Sequence, residues 1–197
     1  MTSPHDHTRR AMMTALASLP LSCCAANTGN GGEMRQVGSR TLVAYFSRSG
    51  NTRVVAGLIH RGLGTDLFEI RPASPYPEDY LATVEQARQE RDRGFEPTLE
   101  AQVPDMAAYD TVYLGFPIWG ETAPPVVRSF LKAHGLAGKT LIPFITHGGY
   151  GLGNSQSVLV GHAPEARLQR GFSMEADQER RTMNRVKNWL SGTGSMI

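Results

Sequence analysis

Cysteine is nearly absent. Only Cys23 and Cys24 occur, side by side near the N-terminus, and none follows. The chain from Ala25 onward therefore has no disulfide, no thiolate nucleophile and no cysteine-based metal or iron–sulfur site. A dominant charge is missing too: 20 Lys and Arg against 18 Asp and Glu leave a formal net charge of +2. No stripe of Lys or Arg stands out, so nucleic acid is not an expected partner. After the N-terminus no apolar run is long enough to span a bilayer. What remains is globular in composition, with 40% hydrophobic and 19% charged residues over 197 positions, which suits one domain with a sizeable core.

The first 30 or so residues read as separate from that domain. Thr8-Arg9-Arg10-Ala11-Met12-Met13 sets a twin arginine before an apolar run at 11–21, and the small residues Ser22-Cys23-Cys24-Ala25-Ala26 follow. A basic start, a short apolar run and a small-residue end make an export signal. The twin arginine resembles the signals of the Tat route, which implies export of an already folded protein. Two cleavage readings compete. Leu21-Ser22-Cys23-Cys24 resembles a lipobox with Cys24 lipidated, and Cys24-Ala25-Ala26 resembles a signal-peptidase site. The expected location is accordingly periplasmic, or the membrane surface through a lipid anchor at Cys24. His5 and His7 lie in this segment and suggest no metal site.

The domain is expected over 40–191, with 192–197 a loose tail. Strands are predicted at 41–46, 66–70, 111–116 and 140–145, and a weak fifth within 166–174. Helices are predicted from about 53 to 63, 79 to 93, 124 to 134, 155 to 161 and 177 to 190. Arg88, Glu90, Arg91, Asp92 and Arg93 read as a solvated face of the second helix, and His134 as a helix-end residue facing the dipole or solvent. Pro143 is awkward inside a strand because it has no N–H for the ladder. Strands alternate with helices, and the central strands are apolar throughout. That pattern predicts an α/β fold, a doubly wound five-stranded parallel sheet. In the order 2-1-3-4-5, strands 1, 3 and 4 are neighbours, and their C-terminal ends meet at the switch point where ligands bind.

Those three strands all end in unusual loops. The first empties into Ser47-Arg48-Ser49-Gly50-Asn51-Thr52 and a helix. Free N–H groups at the helix start, several hydroxyls and one glycine suit a phosphate. No Gly-Lys-Ser/Thr follows, so this is not a Walker A loop. With Gly50 alone it is not a Gly-x-Gly-x-x-Gly turn. It suits one terminal phosphate. The other two loops are Pro117-Ile118-Trp119-Gly120-Glu121-Thr122 and Thr146-His147-Gly148-Gly149-Tyr150-Gly151. Trp119 and Tyr150 suit the flanks of a flat ring. A monophosphate at one end and a flat heterocycle at the other describe FMN.

The phosphate loop, the Gly115-Phe116-Pro117-Ile118-Trp119 run, the Thr146-His147-Gly148-Gly149 run and the Tyr76-Pro77-Glu78-Asp79-Tyr80 segment together resemble the flavodoxin family over about 41–190. The resemblance implies that Ser47, Ser49, Gly50, Asn51 and Thr52 hold the FMN phosphate. It implies that Pro117, Ile118, Trp119 and Gly120 line one side of the ring, with His147, Gly148, Gly149 and Tyr150 on the other. Arg48 either joins the phosphate or points to solvent. Trp119 and Tyr150 have plainer readings as core and surface residues, and His147 as a loop-positioning residue rather than a proton carrier. Typical flavodoxins are strongly acidic, whereas this chain has a sequence pI near 8.7. Two functions follow: an FMN-binding electron-transfer protein with donor and acceptor unidentified, or an FMN-dependent NAD(P)H oxidoreductase acting on quinones or similar acceptors. No catalytic residue is assigned.

Overall fold

The structure, a computed structural model, describes residues 40–175 and 179–193. The expected export segment and the last part of the expected tail lie outside the described residues. In chain order the elements are β1 (Thr41–Tyr45), α1 (Asn51–Leu63), β2 (Asp66–Glu69), α2 (Tyr80–Asp92), a short 3-10 turn (Met106–Ala108), β3 (Thr111–Pro117), α3 (Pro125–Ala133), β4 (Thr140–His147), α4 (Ser155–His162), β5 (Arg167–Leu168), β6 (Phe172–Glu175) and α5 (Glu179–Thr193). The final helix thus runs past the expected end at 190.

All strand pairs are parallel. The order is β2-β1-β3-β4-β5, and β6 also pairs with β4. Alternation along β1 shows how the layers form. Leu42 and Ala44 enter one core cluster with α3 residues Val126, Val127 and Phe130, and with Leu159 of α4. Val43 and Tyr45 enter the other, with Val55, Ala56 and Ile59 of α1 and Val186 of α5. Side chains in a strand point to opposite faces in turn, so a strand buried on both sides is apolar at every position. The inward residues of α3 recur at helical spacing, and Pro125 sits at its first position, where no N–H is needed.

The expected fifth strand is split in two. From Leu141↔Leu168 to Phe144↔Phe172, β4 advances three residues while its partner advances four. The extra residue stands opposite Pro143, which pairs with Leu114 on the β3 side without interruption. A proline cannot donate to the ladder, so the break falls where the missing donor would act. Gly171 then lies against Pro143 so closely that a Cβ there would stand 2.1 Å from the Pro143 carbonyl oxygen.

His134 differs from its expected role. It is buried. Its Nε2 accepts from the Val103 N–H at 2.9 Å, and its Nδ1 lies 2.9 Å from the Phe130 carbonyl oxygen. This arrangement holds a neutral ring with its proton on Nδ1. Burial pushes its pKa below the ordinary histidine value.

Candidate functional site

The parallel sheet brings the ends of β1, β3 and β4 to one edge, and the three loops meet there around a cavity of about 860 Å³. Ligand sites of small molecules commonly fall in the range of about 300–1,000 Å³. Of the expected site residues, Arg48, Ser49, Asn51, Thr52, Pro117, Ile118, Trp119, Gly120, His147, Gly148 and Tyr150 line it, while Ser47, Gly50 and Gly149 do not.

Ser47 and Gly50 instead shape the loop from within. The Gly50 N–H donates to Ser47 Oγ at 3.2 Å, and Gly50 takes a φ of 93°, a left-handed turn that lets α1 begin at Asn51. The first helical amides have no carbonyl behind them in the helix and face outward as donors. Thr52 is nearly inaccessible, and its Oγ1 lies 2.9 Å from Thr146 Oγ1 at the end of β4. When Thr146 donates in that pair, the Thr52 proton is free for an anion in the cavity. Arg48 turns toward α2. Its Nη2 donates to the Glu78 carbonyl at 2.7 Å, its Nε to Thr83 Oγ1 at 3.3 Å, and its guanidinium lies 5.6 Å from the Tyr80 ring centroid.

Trp119 is half-buried and serves both as wall and as packing. Its ring meets Phe46 edge-on at 5.1 Å and Tyr76 at 4.9 Å. The chain then turns tightly. Gly120 and Glu121 have φ of 56° and 64°, and Trp119 and Thr122 exchange backbone bonds of 3.0 and 3.3 Å. Two positive φ values are the mark of a type I′ turn. Glu121 is exposed, and as a non-glycine at this φ it carries strain on the order of 1 kcal/mol. The Asn154 N–H holds the Glu121 carbonyl at 2.9 Å, and the Ile118 N–H binds the Thr146 carbonyl at 2.9 Å, so the second and third loops are fastened together. On the third loop, His147 Nδ1 accepts from the Gly149 N–H at 3.2 Å, while Tyr150 stands 85% exposed at the rim.

The sequence reading missed one wall. Tyr80, Thr83, Val84, Ala87, Arg88 and Arg91 of α2 also line the cavity. Their spacing of three and four puts them on one helix face. Arg88 and Arg91 are thus not simply part of a solvated face. Arg91 lies over the backbone of Gly120, where a Cβ would come within 2.2 Å of its Nη1. Glu90, expected in solvent, is buried, as are Thr83 and Ala87 of the cavity face.

A family model described as Flavodoxin matches residues 40–193. The chain belongs to the flavodoxin family. Among solved structures, this flavodoxin-family chain is similar to a protein of Bacteroides eggerthii described as a flavoprotein on assignment only, with 32% identity and a TM-score of 0.67 over 78% of this chain and 96% of that one. A Bacteroides uniformis protein with the same kind of assignment shows 31% identity and a TM-score of 0.67 over 76% of this chain and 99% of its own. A flavoprotein of Lactobacillus acidophilus, solved in complex with FMN, shares the fold at 21% identity and a TM-score of 0.60, covering 74% of this chain and 99% of that one. No curated protein matches the chain.

Proposed function

We propose that the protein is an FMN-binding electron-transfer protein. FMN is the cofactor implied by flavodoxin membership, and a protein of the same fold carries it. The observation that supports the reading most is the convergence of three loops on one cavity, with the α1 amides at one end and the Trp119 wall at another. Ser49 and Thr52 would hold the phosphate with those amides, Ser47 would brace the loop through Gly50, and no lysine is needed there. Trp119, Ile118 and the 147–150 loop would hold the ring. FMN, when bound, supplies the redox chemistry, while the protein sets its orientation and surroundings. His147, tied to the loop backbone, acts in this reading as a positioning residue.

Arg88 and Arg91 on the cavity wall favour one second reading. Guanidinium groups suit the phosphates of a second ligand, as an FMN-dependent NAD(P)H oxidoreductase acting on quinones would require. An anaerobic redox titration of the FMN-loaded protein separates the two. Two resolved one-electron steps support the carrier. Rapid NAD(P)H consumption with a quinone, in one undivided two-electron step, overturns it. We also propose export by the twin-arginine route, on the strength of Arg9, Arg10 and the apolar run after them. Replacing both arginines by lysine should retain the protein in the cytoplasm, and unchanged export would contradict that route.

A further inference from the structure

Glu90 is the one carboxylate of α2 that is removed from water, at 7% exposure. Removing a carboxylate from solvent is costly unless hydrogen bonds or a cation compensate. Both of its oxygens are engaged. Oε2 accepts from the Tyr76 hydroxyl at 2.8 Å, and Oε1 accepts from Gln86 Nε2, one turn earlier, at 2.8 Å. Both partners are neutral donors, and acceptor-only bonding at both oxygens is the pattern of an ionised carboxylate. Arg93 and Lys132 share a separate open cavity with Glu90, yet neither forms an ion pair with it among the described residues.

Tyr76 carries this bond toward the site. It lies in the proline-rich crossing between β2 and α2, where little regular structure fixes it. Its ring closes a triad with Trp119, at 4.9 Å, and Phe46, at 6.0 Å. Burial, and then the hydrogen bond to Glu90, drives the phenol pKa well up, so Tyr76 stays a donor. The line therefore runs from a fixed negative charge through a phenol to the indole that walls the cavity.

We infer that Glu90 is a positioning residue for the ring site: through Tyr76 it holds the Trp119 wall, and its charge behind that wall lowers the reduction potential of flavin bound there. This rests on the FMN reading above. A nearby negative charge disfavours the electron-rich reduced ring more than the oxidised one. Glu90→Gln keeps an acceptor for Tyr76 and removes the charge, which separates the two effects.

The test uses the full chain loaded with FMN. Glu90→Gln should bind oxidised FMN within about twofold of the parent protein. It should bind reduced FMN roughly tenfold more tightly, an upward shift of about 30 mV for a two-electron couple. A merely structural role would leave the potential in place, and an unchanged potential in a folded variant overturns the proposal. Tyr76→Phe, in a Trp189→Phe background, reads the positioning arm without any cofactor. The Trp119 emission of the ligand-free protein should shift and its anisotropy should fall. An unmoved emission overturns that arm, including when Glu90→Gln fails to fold. If the parent chain binds no FMN, the FMN reading fails by itself, and the emission result still decides whether Tyr76 supports Trp119.

Discussion

Replacing Thr52 by valine tests the join between the phosphate loop and the sheet. Valine keeps the shape and removes the hydroxyl. In the ligand-free protein the loss strands Thr146 Oγ1, whose residue is only 3% exposed and whose partner is Thr52 at 2.9 Å. An unmet buried hydroxyl costs about 1–3 kcal/mol. Thr146→Val strands Thr52 in the same way, and because both residues are nearly inaccessible and both line the cavity, a cost of the same order is expected. Replacing both hydroxyls removes the mismatch, and the double variant should be more stable than the sum of the singles predicts, by about 1 kcal/mol. FMN binding should divide differently. Thr52→Val loses a hydrogen bond to a charged phosphate, worth about 1.5–3 kcal/mol, or roughly ten- to hundredfold in affinity. Thr146→Val should change affinity less than about threefold. Urea denaturation of the four ligand-free proteins and flavin-fluorescence titration of each give both results. Strictly additive stabilities together with equal affinity losses at the two positions would refute the reasoning.

Gly171→Ala should destabilise the protein by about 1–3 kcal/mol, because its Cβ would stand 2.1 Å from the Pro143 carbonyl oxygen; a melting temperature equal to the parent's would dissolve the account of the broken strand. His134 should make stability fall with acid. Burial lowers its pKa, so the folded protein favours the neutral ring, and stability is full above the ordinary value of about 6.5 and is lost as the pH falls through the folded pKa. Urea unfolding between pH 7.5 and 5 should show that slope, and His134→Gln should flatten it.

Much of the fold was legible because it is written in period and punctuation. The apolar runs of β1, β3 and β4 and the glycines after α1 and α2 carry local signals that tertiary packing did not override. The site was legible at its three loops because their residues are odd for plain connections. Pro143 announced a pairing defect, though sequence alone did not say that the neighbour on the β5 side would absorb it through Gly171. The α2 wall was not legible. Thr83, Ala87 and Glu90 form a buried row that is too polar to stand out, so Arg88, Glu90 and Arg91 read as solvated. The Thr52–Thr146 pair spans 94 positions and joins two small polar residues, a contact with no local trace. His134 looked like a helix-end residue because its acceptor bond comes from Val103, far back in the chain.

The visible spectrum of the purified protein, with the released flavin identified, tests the central claim most directly. The account predicts a yellow protein, or one that becomes so on reconstitution, with one FMN per chain and fluorescence changed on binding. A colourless protein that takes up no FMN when folded would contradict it.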